Sequence, residues 1–77
     1  MPVFFFDIDD GTGVVLDNEG SLHDDLSAAH HEAVETLGQI GRDVLTPKGD
    51  TELVVEIRDE AGKALMRASL KLTSLRL

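Results

Sequence analysis

The apolar residues of this chain follow two different periods, and the order of these periods constrains the fold more than any other feature. Between Leu26 and Val44, apolar residues recur every three or four positions, a spacing that places them on one stripe of a helix. Before and after this stretch lie short β-prone segments in which alternate side chains share a face. This order predicts a single helix between two pairs of strands, β-β-α-β-β.

The predicted elements have recognisable boundaries. The strands span residues 2–8, 14–16, 52–58 and 63–72, and the helix spans about residues 26–45. Asp25 is the expected N-cap of the helix, and Pro47 is its expected stop. After Leu72 the alternation changes phase, which predicts a bulge or a separate tail at residues 73–74.

The first strand is expected inside the sheet because both of its faces are apolar, with Phe4 and Phe6 on one and Val3 and Phe5 on the other. The helix then returns the chain across the sheet to the third strand as a right-handed crossover. The sequence therefore predicts a two-layer α+β fold: a four-stranded, mainly antiparallel sheet of order 2-1-3-4 with the helix packed on one face. Residues 1–77 are expected to form one small domain of this kind.

Charge and composition narrow the classes of partner. The chain has 15 acidic and 7 basic residues, a net charge of −8, which repels phosphate backbones and anionic lipid surfaces. We therefore expect neither nucleic acid nor a membrane as a partner. Cysteine is absent, which excludes disulfides and thiolate chemistry. The apolar runs at residues 3–6 and 14–16 are too short to span a bilayer, and the chain does not open like a secretory signal. We expect a cytoplasmic protein.

One stretch invites comparison with an enzyme family. Residues 4–12 resemble the opening motif of the haloacid-dehalogenase phosphatases, in which an Asp-x-Asp pair, here Asp7 and Asp9, follows a hydrophobic strand. Asp10, however, is inserted before Gly11 and Thr12, and 77 residues leave no room for the parallel sheet of that family. Phosphate-binding loops and nucleophile motifs are also absent. We expect a protein that is not an enzyme, with no catalytic residue and no cofactor.

The same loop supports an alternative function. The carboxylates of Asp7, Asp9 and Asp10 suit weak binding of Ca²⁺ or Mg²⁺, and the protein would then be a small-ligand or divalent-cation binding protein. When the calcium-binding loop pattern is aligned with its first position at Asp7, three of its required positions do not match. Those positions are occupied here by Gly11, Thr12 and Asn18. A hairpin turn rich in aspartate is the commoner interpretation.

The three histidines lie before or within the predicted helix. His30 and His31 are adjacent, so their side chains point about 100° apart and do not suit one metal ion. We expect these two residues and His23 at the surface or at the helix–sheet boundary, and their role stays open.

The sheet face turned away from the helix is the candidate interface. Val3, Phe5, Val54 and Leu65 are expected there among charged residues, and an apolar patch with a charged rim is typical of interfaces. The leading hypothesis is a non-enzymatic interaction module that binds itself as a homodimer, or binds another protein, through this open face or a strand edge. The alternative is an ordinary antiparallel sheet with a few exposed hydrophobic residues.

Four features in order resemble a family of short bacterial proteins known only as a domain of unknown function. They are the opening Met1-Pro2 with an aromatic strand and the turn at Asp10-Gly11; the turn at residues 17–20; the helix start Asp25-Leu26-Ser27-Ala28-Ala29 with Glu32-Ala33; and the final turn Asp59-Glu60-Ala61-Gly62. The leucine-rich end at residues 70–77 departs from the family pattern. The resemblance implies the fold given above and implies no activity, substrate or cofactor.

Overall fold

The computed structural model describes residues 1–44 and 51–77. Its elements are β1 (Val3–Asp9), β2 (Val14–Val15), β3 (Ser21–Leu22), α1 (Leu26–Val44), β4 (Thr51–Arg58) and β5 (Ala64–Leu72). The α+β prediction is confirmed, and the four expected strands lie in the order β2-β1-β4-β5. The structure adds β3, which the sequence analysis missed. The predicted helix end at residue 45 and its stop at Pro47 lie outside the described residues.

The aromatic strand β1 lies inside the sheet, as its two apolar faces predict. It pairs antiparallel with β4, from Phe5 opposite Arg58 to Asp9 opposite Val54. The chain that returns after β1 pairs with it twice, first through β2 and then through β3. Between these two pairings, residues 5–7 of β1 lie opposite the longer segment 16–20, so the returning chain makes an extra turn there.

The core lies between α1 and strands β1, β4 and β5. The helix starts at its predicted cap, where the Asp25 carboxylate accepts a hydrogen bond of 2.8 Å from the backbone N–H of Ala28. Its small buried residues Ala29 and Ala33 are fully covered, which lets the helix approach the sheet closely. The remaining buried hydrophobic residues are Phe4, Leu37, Leu53, Val55 and Ile57. The helix contacts β4 and β5 most extensively, so the margin of the sheet near β2 and β3 is left uncovered.

The prediction that Leu65 points to the open face is wrong. Ile57 pairs with Met66 whereas Arg58 pairs with Ala64, so Leu65 is the extra residue of a β-bulge. A bulge turns two consecutive side chains toward one face, and Leu65 and Met66 both pack against the core.

Residues 73–77, which we name the tail, follow β5 without regular secondary structure. The bulge therefore lies near the start of β5, and the predicted phase change after Leu72 corresponds to a separate tail. Leu75 and Leu77 of the tail are exposed. In the described residues, no helix is both long enough and apolar enough to cross a membrane.

Candidate functional site

The apolar residues at one end of the open sheet face are covered by the chain itself. The guanidinium carbon of Arg58 lies 4.7 Å from the centre of the Phe5 ring, a cation–π distance. Gly20 approaches from the turn after β2, and a Cβ atom built on it would lie 2.7 Å from Val3 Cγ1 and 3.0 Å from Phe5 Cε2. Val3 and Phe5 are half-buried as a result, so the apolar patch is smaller than the sequence predicts.

A hydrogen-bonded network beside Phe5 connects β1, β4 and the turn after β2. Arg58 Nε donates to Asp7 Oδ2 at 2.7 Å, and Arg58 Nη2 donates to the backbone carbonyl of Asp17 at 2.8 Å. The backbone N–H of Asp17 donates to the other carboxylate oxygen of Asp7 at 2.9 Å. Asp7 is buried, and a buried carboxylate needs such partners. Its role is therefore structural in this arrangement.

The side chain of Asp17 organises the extra turn. Its Oδ1 accepts hydrogen bonds from the backbone N–H groups of Glu19 and Gly20, and its Oδ2 accepts one from Phe6 in β1. Burial raises the pKa of Asp17, but the N–H groups of Gly20, Phe6 and Glu19 and the charge of Arg58 outweigh it, so the pKa lies below its ordinary value. The ionised carboxylate of Asp17 thus accepts the hydrogen bond from Phe6 that a paired strand would otherwise accept, at the point where the returning backbone leaves β1.

The three aspartates of the predicted cation loop have separate tasks. Asp7 contacts Arg58, as described above. Asp9 accepts a hydrogen bond of 2.8 Å from the N–H of Gly11. Asp10 accepts bonds from the hydroxyl and the N–H of Thr12, and these lower the pKa of Asp10. Among the described residues, no group of three or more His, Cys, Asp or Glu side chains is placed to hold a metal ion. Cation binding at this loop stays a prediction.

The other end of the open face is a shallow, charged groove, in which Val54 lies as predicted. Its apolar residues are Val14, Leu16 and Val54, and its polar residues are Asp7, Asp9, Glu52, Glu56, Arg67 and Ser69. Arg67 donates to Glu56 at 2.6 Å across the two strands, so part of its charge is paired. Carboxylates outnumber apolar side chains in this groove, which makes it unlike the apolar centre of a stable interface.

A second groove borders β5, and we name it the α1–β5 groove. It is lined by His30, Val34, Leu37, Gly38, Ala68, Ser69 and Leu70. Val34 is 52% exposed and Leu70 is 36% exposed, so two large apolar side chains face solvent in it. The outer edge of β5 is free of pairing with any described residue. An apolar groove thus runs beside an unpaired strand edge of nine residues.

A third groove lies on the opposite margin of the helix, and we name it the α1–β2 groove. Its apolar floor is formed by Phe6, Ile8, Val15 and Leu16, and its polar lining by Asp17, Asn18, Glu19, Ser21, Glu32 and Thr36. Val15 is 70% exposed, because the helix lies mainly over β4 and β5 and leaves β2 uncovered.

Charge is strongly segregated along the sequence. Every acidic residue lies at or before Glu60, whereas the last fifteen residues, 63–77, contain Lys63, Arg67, Lys71 and Arg76 and no carboxylate side chain. The edge strand β5 and the tail are therefore cationic on a protein that is anionic elsewhere.

The histidines do not converge on one site. His30 is exposed in the α1–β5 groove, and exposed His31 lies 3.0 Å from Glu35 one turn along the helix. His23 packs edge-on against the Phe6 ring at 5.6 Å, and its buried Nε2 lacks a hydrogen-bond partner among the described residues. The expected surface or boundary placement agrees with these positions.

Comparison with known proteins identifies a family. No curated protein and no solved structure matches the chain. A family model matches residues 3–71. This range begins at the first residue of β1 and ends one residue before the end of β5. The match agrees with the resemblance noted in the sequence, and it carries no activity or ligand with it. The chain therefore belongs to the family described as Domain of unknown function (DUF6894).

Proposed function

We propose that the chain is a non-enzymatic interaction module that self-associates through the free edge of β5 and the α1–β5 groove beside it. The observation that carries the proposal is the edge of a nine-residue strand that pairs with no described residue and lies next to two exposed apolar side chains, Val34 and Leu70. The N–H and C=O groups along such an edge are a template for another strand. The groove adds apolar surface that strand pairing alone would leave in water.

The edge is favoured over the open sheet face. Val3 and Phe5 on that face already contact Gly20 and Arg58 of the same chain. Val54 lies in the charged groove, and removing several carboxylates from water there would oppose association.

A second copy suits the β5 edge for reasons of symmetry and charge. Two β5 strands that pair antiparallel about a two-fold axis give an isologous contact, the commonest arrangement in homodimers. The basic residues of β5 lie opposite acidic residues of β4 in the strand register, Arg67 opposite Glu56 and Lys71 opposite Glu52, and Arg67 forms an ion pair with Glu56. These neighbours lower the repulsion between two copies of a cationic strand. A domain of this size also has a thin core, which association would extend.

The test is the solution mass, measured by light scattering over a wide range of protein concentration. Wild type should reach at least the dimer mass as concentration rises. Val34→Lys places a charge in the α1–β5 groove and should raise the dimer dissociation constant about tenfold or more. The matched control is Val14→Lys, since Val14 is 58% exposed and lies in the charged groove of the open face.

Circular dichroism of both variants should match wild type, because each side chain is already half exposed or more. A strict monomer at high concentration would sink the proposal. Dissociation by Val14→Lys but not by Val34→Lys would move the interface to the open sheet face.

The alternative function, cation binding by the loop, is tested by measuring the melting temperature of the same protein with and without added divalent cation. Binding of Ca²⁺ or Mg²⁺ to the native state would raise the melting temperature, and Asp9→Asn with Asp10→Asn would abolish the rise. The interaction proposal expects a melting temperature that depends on protein concentration and does not respond to millimolar divalent cation.

A further inference from the structure

The α1–β2 groove has a composition that selects its occupant. Its floor is apolar, with Phe6, Ile8 and Val15, and its rim carries the carboxylates of Glu19 and Glu32. Both rim residues are exposed, and neither forms an ion pair with a described residue. A ligand that buries this floor must present large aliphatic groups, and the rim favours one that also carries positive charge.

The chain itself contains a segment of this chemistry. The tail carries Leu75 and Leu77 on either side of the basic residue Arg76. In an extended conformation Leu75 and Leu77 fall on one face, where both can meet the floor. Arg76 then projects from the other face, and its long side chain is free to bend back to the rim. No carboxylate side chain in residues 63–77 opposes the approach.

We infer that the α1–β2 groove of one copy binds the tail of a second copy. A second copy is required because β2 and β5 lie at opposite edges of the sheet, so the tail leaves the fold on the side away from its own groove. The contact uses neither the β5 edge nor the α1–β5 groove, and it does not rest on the proposed function. Since groove and tail are different surfaces, it is a heterologous contact, which joins copies head to tail.

The test uses a fluorescent peptide of the tail, residues 73–77, Thr-Ser-Leu-Arg-Leu, with both ends blocked, and follows its anisotropy as the full-length chain is added. Saturable binding is expected, and added salt should weaken it because the rim pairs are exposed to solvent. Glu32→Lys in the protein should weaken binding about tenfold or more. Glu35→Lys is the matched control: it is the same change on an exposed residue of the same helix, which pairs with His31 and lies outside the groove.

A second peptide, with Arg76→Glu, should lose binding, and Val15→Lys in the protein should reproduce the effect of Glu32→Lys. Equal binding to Glu32→Lys and Glu35→Lys, or no saturable binding to wild type, would overturn the inference. The titration is repeated on Val34→Lys, where unchanged affinity is expected. The two proposals therefore fail separately: loss of the β5 dimer leaves the peptide result intact, and loss of peptide binding leaves the dimer result intact.

Discussion

Replacing Gly20 by alanine tests how the turn after β2 holds the open sheet face. Gly20 has a φ of 75°, in the left-handed region, where a residue with a Cβ costs about 1–2 kcal/mol. The added Cβ would also lie 2.7 Å from Val3 Cγ1 and 3.0 Å from Phe5 Cε2, well inside van der Waals contact. Overpacking of this kind costs about 1–3 kcal/mol. Alanine returns about 0.4–1 kcal/mol by restricting the unfolded chain, so we expect a net loss of about 2–4 kcal/mol.

Two other glycines separate the cost of the left-handed backbone conformation from the cost of steric overlap with Val3 and Phe5. Gly62 has a φ of 86° with nothing within 4 Å of a built Cβ, so Gly62→Ala should show the backbone cost alone, about 1 kcal/mol. Gly13 also has open space, and its φ is not positive, so Gly13→Ala should show only the unfolded-chain gain, about 0.4–1 kcal/mol of stabilisation. Urea unfolding at one fixed protein concentration measures all three, with an unchanged m-value as the condition for comparing midpoints. A loss at Gly20 no larger than that at Gly62 would refute the reasoning that the turn packs tightly on Val3 and Phe5.

The remaining predictions concern the helix, the two arginine ion pairs and pH. Gly38→Ala, at an exposed helix position with nothing within 4 Å of a built Cβ, should stabilise the protein by about 0.5–1 kcal/mol; a lower melting temperature would contradict this. Arg58→Met should lower the free energy of unfolding clearly more than Arg67→Met, because it leaves the buried carboxylate of Asp7 without its charged partner, whereas the Arg67–Glu56 pair is exposed to solvent. Equal losses in urea would show that burial does not set the difference. The folded-state pKa of Asp17 lies below its ordinary value of 3.8, so its contribution is present above that pH and is lost as the pH falls through the folded-state pKa. Unfolding free energies measured from about pH 5 to about pH 2 should therefore fall, and Asp17→Asn should flatten the fall; an unchanged slope would assign it to other carboxylates.

The elements that the sequence predicted well are those with local signals. The apolar stripe of α1 repeats over several turns, so the buried face of the helix could be predicted from the sequence. Its start could also be predicted, because the side chain of Asp25 is of the type that caps the N–H of the third helical residue, here Ala28. The order of the strands followed from Phe4 and Phe5, which make both faces of β1 apolar and so place it inside the sheet. These signals need no knowledge of distant contacts.

The features that the sequence missed depend on contacts between distant residues. Strand β3 has two residues, too few to show a period, and it exists because the Asp17 turn brings the chain back to β1. Leu65 was assigned to the wrong face because one extra residue in β5 reverses the alternation, and the adjacent apolar pair Leu65-Met66 was the available signal. The exposed apolar patch on the open face is smaller than expected because Arg58, more than fifty residues away in the sequence, lies over Phe5.

The central place of β1 has a consequence for the chain during its synthesis. Phe5 pairs with Arg58 of β4, so one edge of this aromatic strand has no partner strand until about fifty further residues have been synthesised. At ribosomal rates this takes about 3–10 s. An unpaired edge with consecutive aromatic residues invites aggregation, and charges within it are the usual protection. Asp7 and Asp9 supply such charges in β1 itself. The carboxylate of Asp7, which the folded protein must neutralise with Arg58, thus protects the nascent strand during the interval before Arg58 exists.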